Sequence, residues 1–149
     1  MLIQATVDNA RDRHAVVLTT DGKSHPLAVA SRDSGFGSAA NGGELLCLAL
    51  ATCYCNDVYR EAQQRSIEVV RVKVEAEGQF GRAGEPASRL AYRVHVAARA
   101  PETAIRALIL HTDGVAEVHN TLRRGMAVVL EAFEAESIAD ETGAPARGG

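Results

Sequence analysis

The chain of 149 residues fits one domain, and folding can bury roughly two-thirds of its unfolded surface. Hydrophobic residues make up 46% and charged residues 23%, but aromatics only 4% with no tryptophan, so aliphatic side chains must build the core. A net charge of -3 with mixed signs and no basic stripe excludes nucleic acid as the main partner.

The first third reads as extended structure. Leu2 to Val7 and His14 to Thr20 are rich in β-branched residues, and Asp21-Gly22 supplies a turn after them. Ser24 to Ala30 is a third, shorter strand, with Pro26 marking an edge or irregular position. Ser31 to Gly43, loaded with Gly, Ser, Ala and Asn, is a loop leading into a helix. From Glu44 to about Gln64 there is neither Gly nor Pro. Leu45, Leu46, Leu48, Ala49 and Leu50 leave the first half of this helix no polar face, so that half should be enclosed on all sides. Asn56, Asp57, Arg60, Glu61, Gln63, Gln64 and Arg65 turn the second half polar, so the helix is expected to start in a core and end in water.

Val70, Val72, Val74 and Ala76 then alternate with Arg71, Lys73, Glu75 and Glu77, the period of a strand with one wet face. Gly78 to Pro86 forms a loop, and Leu90, Tyr92, Val94 and Val96 alternate in the return strand of a long antiparallel hairpin. Pro101 and Glu102 open a helix with Ala104, Ile105, Leu108 and Ile109 as its apolar stripe. Asp113-Gly114 breaks it, Val115 to Arg123 resumes as a second helical piece ending at Gly125, and Met126 to Glu134 is a last strand. The domain therefore spans 1–134, and 135–149, with Gly143, Pro145, Gly148 and Gly149, is a frayed tail.

No basic leader followed by a long apolar run opens the chain, so secretion is not indicated. The most apolar stretch, Leu45 to Cys53, is far short of the ~20 residues of a membrane span. Cys47, Cys53 and Cys55 are odd in number and clustered, a pattern of reduced, cytoplasmic thiols rather than of a disulfide scaffold. On a helix Cys47 and Cys53 lie about 120° apart in azimuth, and Cys53 and Cys55 point to roughly opposite faces and cannot close a disulfide. A Cys-x-Cys pair with no second pair is a poor zinc site, and His111 and His119 lack a third ligand, so neither metal nor cofactor is expected. By spacing alone each cysteine reads as a packing residue.

The order of strands, Gly-rich loop and Glu44-Leu45-Leu46 followed by an apolar helix with Ala51-Thr52-Cys53 resembles the OsmC/Ohr family. Val118-His119-Asn120-Thr121-Leu122 is similar to that family's second motif, and the likeness runs from the first strand to Glu134. The resemblance implies an α+β, OsmC-like fold in which antiparallel sheets wrap around central helices in an intertwined homodimer. It further implies a thiol-dependent reduction of organic hydroperoxides with Cys53 as the peroxide-reacting thiol. Arg11, with Arg13 as second candidate, would hold the thiolate, and both also read as solvated turn arginines. Glu44 would orient that arginine, although the family carboxylate falls one residue earlier, on Gly43, and a helix start by itself explains a glutamate. His119 would face the site as proton donor or thiolate neighbour, against the plainer reading of a structural histidine. Tyr54 and Tyr59 read as packing residues.

The sequence departs from the family pattern at one decisive place. The second cysteine falls on Ala116 and its proline on Glu117, and no cysteine follows Cys55. Two readings follow: a single-cysteine peroxidase resolved by an external thiol reductant, or a non-catalytic dimeric protein of the same fold that binds a small molecule, such as an apolar ligand, or is stress-associated. Acyl transfer on Cys53 is a third idea that no residue selects.

Overall fold

The computed structural model describes residues 1–132, 134 and 135. β1 (Ile3–Ala10), β2 (Arg13–Thr20) and β3 (Lys23–Pro26) form an antiparallel meander in that order. Asp21 and Gly22 both take positive φ (46° and 78°) between the paired Thr20 and Lys23, as a tight two-residue hairpin turn requires. β3 ends at Pro26, whose ring nitrogen has no proton to offer the ladder, so the strand is shorter than the expected Ser24 to Ala30.

α1 (Gly42–Gln64) follows the Gly-rich loop. Asn41 caps it: its Oδ1 accepts from the Glu44 N–H at 3.0 Å, and the Glu44 carboxylate accepts from the Asn41 N–H at 2.7 Å. β4 (Glu68–Phe80) and β5 (Ala87–Arg99) make the long hairpin, joined by a loop shorter than expected because both strands extend past Gly78. A bulge between Val69 and Arg71 turns Val70 out to solvent, so Val69, Val72 and Val74 face the core rather than an unbroken Val70, Val72, Val74 row. α2 (Glu102–Val115) and α3 (Glu117–Arg124) meet at Ala116, two residues beyond the expected break at Gly114, which α2 absorbs. Gly125, at φ 63°, closes α3 in the left-handed conformation that glycine tolerates. Among the described residues, no helix is long and apolar enough to cross a membrane.

The core lies between α1, α2 and the β4–β5 hairpin, with Tyr54, Val58, Ala62, Val96, Leu108 and Ala116 at its centre. Two expectations are corrected here. The buried residues of α1 are Leu50, Tyr54, Asp57, Val58, Glu61 and Ala62; Asn56, Arg60, Gln63, Gln64 and Arg65 are exposed as expected, but Asp57 and Glu61 are covered, and Leu45 and Leu48 of the apolar half are uncovered. Asp57 and Glu61 are covered because α2 and α3 pack on that side of the helix, which still ends in water at Gln63 and Gln64. Met126 to Glu134 forms no strand in residues 126–132 or at 134; Val128, Val129 and Leu130 are 100%, 70% and 80% exposed. A strand exists only with a ladder partner, and this segment has none among the described residues. Of the expected tail over 135–149, Ala135 is exposed and in no helix or strand, and 136–149 lie outside the described residues.

Leu108 is fully enclosed, so Leu108→Ala should cost about 2–5 kcal/mol in urea denaturation. Leu110→Ala on the exposed side of α2 should stay within about 0.5 kcal/mol.

Candidate functional site

Residues 53, 57, 60 and 61 of α1 recur at helical spacing on the face that meets the start of α3. Cys53 is partly buried there, and its Sγ–H donates to Asp57 Oδ2 at 3.4 Å. Arg60 takes the other oxygen of the same carboxylate, Nη1 to Oδ1 at 2.7 Å. That nitrogen also reaches Glu117 Oε1 at 3.1 Å, and Arg60 Nε reaches Glu61 Oε1 at 3.1 Å. Glu61, buried in spite of its charge, also accepts from Arg65 Nη1 at 3.1 Å and lies 3.0 Å from His111 Nε2. One guanidinium thus ties three carboxylates from two helices.

The thiol feels opposing influences. Burial pushes the Cys53 pKa up, and the neighbouring Asp57 and Glu117 carboxylates push the same way. The Val118 backbone, in the first turn of α3, pulls it down. The net direction is up, so the resting group is the thiol. Burial also raises the Asp57 pKa, while the Cys53 thiol and Arg60 lower it. Hydrogen bonds from Arg60, Arg65 and His111 hold the Glu61 carboxyl below the usual range.

Ligand atoms of Cys53, Asp57 and Glu117 converge within 4.8 Å, a spacing that could hold a metal ion. Arg60 already lies on both carboxylates, so the positive charge a metal would bring is supplied by the chain itself.

The four residues singled out from the sequence do not converge within one subunit. Glu44 closes the capping box at the far end of α1. Arg11, in the β1–β2 turn, lies over the Phe36 ring at 5.5 Å, and Arg13 pairs with Asp8 at 2.9 Å. His119 sits edge-on against Tyr92 and Tyr54, with centroids 4.6 and 5.7 Å away, and makes no hydrogen bond to Cys53. Asp57, Arg60 and Glu117 are the charged groups around the thiol. The first two lie one and two turns past Cys53, a signal that was present in the sequence but reads there as a wet helix face. Ala116 is fully buried at the α2–α3 junction.

The profile of the family described as OsmC-like protein matches residues 35–131. No curated protein matches the sequence significantly. Among solved structures, an OsmC-like protein from Mycoplasma pneumoniae is similar at 18% identity and TM-score 0.58, covering 83% of this chain and 88% of that one. An organic hydroperoxide resistance protein OsmC from Legionella pneumophila has 21% identity and TM-score 0.53, with 83% and 90% covered. An organic hydroperoxide resistance protein from Elizabethkingia anophelis, with thiocyanate bound, has 16% identity and TM-score 0.53, with 84% and 90% covered. At these identities the likeness establishes the fold.

In a Cys47→Ser, Cys55→Ser background, the pH midpoint of Cys53 alkylation by iodoacetamide should lie above that of free cysteine. Asp57→Asn removes a raising influence and should move the midpoint down. An unmoved midpoint would disprove the coupling.

Proposed function

The chain belongs to the OsmC-like protein family, and on that premise we propose that it is a single-cysteine, thiol-dependent peroxidase reducing organic hydroperoxides at Cys53. The observation that carries this reading is the hydrogen bond from the Cys53 thiol to the Asp57 carboxylate at the first turn of α3. Two solved proteins of the same fold, from Legionella pneumophila and Elizabethkingia anophelis, are named organic hydroperoxide resistance proteins, which supports the substrate class.

The chemistry follows from where the proton can go. Asp57 accepts the Sγ proton as sulfur attacks the outer peroxide oxygen, and the Val118 N–H meets the charge developing on sulfur. The O–O bond breaks, the sulfur is oxidised to a sulfenic acid, and the leaving oxygen takes the proton to depart as an alcohol. Ala116 offers no second thiol, so an external thiol attacks the sulfenic sulfur, water leaves, and a second external thiol releases Cys53. Arg60 is a positioning residue, holding the second oxygen of Asp57 so that the first faces the thiol. Arg11, Glu44 and His119 have no step in this sequence within the subunit.

The working unit in this reading is a homodimer. Within one subunit all of β1 is exposed, Leu48 is 54% exposed and the apolar run of residues 128–130 has no cover. A second copy of the chain is the occupant that would cover all three surfaces. A second functional reading, a non-catalytic dimer that binds a small apolar molecule, draws on the upward shift of the Cys53 thiol and its two acidic neighbours.

Purified protein with an organic hydroperoxide and excess dithiol should consume peroxide, and Cys53→Ser should not. Asp57→Asn should slow turnover by about 100-fold or more while making the thiol easier to alkylate, opposite signs that a packing role would not produce. Equal peroxide consumption by wild type and Cys53→Ser would sink the peroxidase and leave the binding reading. Sedimentation should give twice the 15.8 kDa of one chain.

A further inference from the structure

We propose that oxidation of Cys53 past the sulfenic acid, to the sulfinate, releases the first turn of α3 from α1, with Arg60 as the latch. The inference rests on the reading of Cys53 as the thiol that meets peroxide, and gives that site a redox-dependent shape.

The latch is one guanidinium shared between two helices. Arg60 Nη1 lies 2.7 Å from Asp57 Oδ1 and 3.1 Å from Oε1 of Glu117, the residue that opens α3. Its Nε is taken by Glu61 at 3.1 Å, and Glu61 in turn holds Arg65 and His111. The Cys53 sulfur and one oxygen each of Asp57 and Glu117 lie within 4.8 Å of one another. While the thiol is protonated, two carboxylates share one cation. A sulfinate puts a third anion into the same space and brings no cation with it. Like charges this close repel far more strongly at a partly buried site than in water. Asp57 is 4% exposed and fixed on α1 one turn from Cys53, whereas the Glu117 side chain is 66% exposed and reaches open water by a small outward swing. Glu117 is therefore the group that yields.

A second feature of α3 favours the same movement. His119 is 4% exposed, and neither ring nitrogen has a hydrogen-bond partner among the described residues. Edge contacts with Tyr92 and Tyr54 hold the ring, while burial keeps its pKa low. An imidazole with both nitrogens unpaired regains hydrogen bonds as soon as water reaches it. The far end of α3 stays tied, because Arg123 donates to the Asp113 carboxylate and, at 2.9 Å, to the Asp113 carbonyl. The movement is a hinge about that end rather than loss of the helix.

The oxidation balances with hydroperoxide alone. When no external thiol arrives, the sulfenic sulfur attacks a second hydroperoxide, an S–O bond forms and the O–O bond breaks. Sulfur gives up two electrons, the alcohol leaves with one of the two protons, and the other passes to water as the sulfinate forms.

Cys53→Asp sets a carboxylate where the sulfinate group would stand, and Cys53→Asn is its neutral counterpart of the same shape. Hydrogen exchange of the α3 amides and modification of His119 by diethyl pyrocarbonate, both read by peptide mass spectrometry, report the release. Both should run roughly tenfold faster in Cys53→Asp than in Cys53→Asn, with the β4–β5 amides unchanged. Adding Asp57→Asn to Cys53→Asp removes the facing carboxylate and should restore the slow rates, a coupling that altered packing would not show. In a Cys47→Ser, Cys55→Ser background, which keeps the test sound should Cys53→Asp fail to fold, excess cumene hydroperoxide without thiol should add two oxygen atoms at Cys53 and speed both readouts. Equal rates in Cys53→Asp and Cys53→Asn, an oxidised Cys53 with α3 still protected because Asp57 has taken up a proton, or no second oxygen at Cys53 would each overturn the latch. Neither readout requires peroxide turnover with dithiol, so a failure of the latch is told apart from a failure of the peroxidase.

Discussion

Two carboxylates of α1, Asp57 and Glu61, are buried, and the arrangement around them depends on Arg60. Ionised carboxylates inside a protein are tolerated only with a partner close enough to replace the lost water. Arg60 meets both, then reaches across to Glu117 and fixes the start of α3 against α1. The planar fork matters, since it can point to three acceptors at once, where a lysine would be a single point of charge. The position of the Val118 N–H relative to Cys53 follows from this docking of α3. The electrostatics of the thiol are therefore a by-product of how the helix pair is held together.

The same packing accounts for the two buried carboxylates of α1. α2 and α3 cover its C-terminal half, and the residues they cover include the charged ones that must then pair. Its N-terminal half, with Leu45 and Leu48, together with β1 and the run Val128 to Leu130, forms the uncovered apolar surface. Aliphatic surface of that extent is rarely left to water.

Much of this was legible in the sequence, and what was missed has a common cause. The β4–β5 hairpin could be read because valines and charges alternate, and the Asp21-Gly22 turn because its backbone demands those residues. The Val69–Arg71 bulge could not, since a bulge leaves periodicity almost intact while shifting one residue across the sheet. The identity of Cys53 as the thiol of interest came from resemblance, whereas its surroundings did not. Asp57 and Arg60 looked like a solvated helix face because polarity in one helix says nothing about which neighbour packs on it. The final strand failed for the converse reason: Val128, Val129 and Leu130 have the composition of a strand, but pairing is a property of two segments.

Ala116 links these observations. In a family where a second cysteine stands at this position, the peroxide-reacting sulfur is relieved by an internal partner. Here a methyl group is sealed at the helix junction, where it packs with Tyr54, Val58 and Leu108. A sulfenic acid formed at Cys53 would have to await a thiol from outside, which requires Cys53 to stay accessible, and it is only partly buried. A standing thiolate in such a position would be open to over-oxidation between turnovers, because reactivity toward oxidants follows thiolate character and exposure. In the proposed mechanism, a thiol kept protonated by burial and two carboxylates, and ionised only as Asp57 takes its proton, limits that exposure. The acidic surroundings that look unfavourable for a nucleophile are, for a thiol without an internal partner, a coherent arrangement.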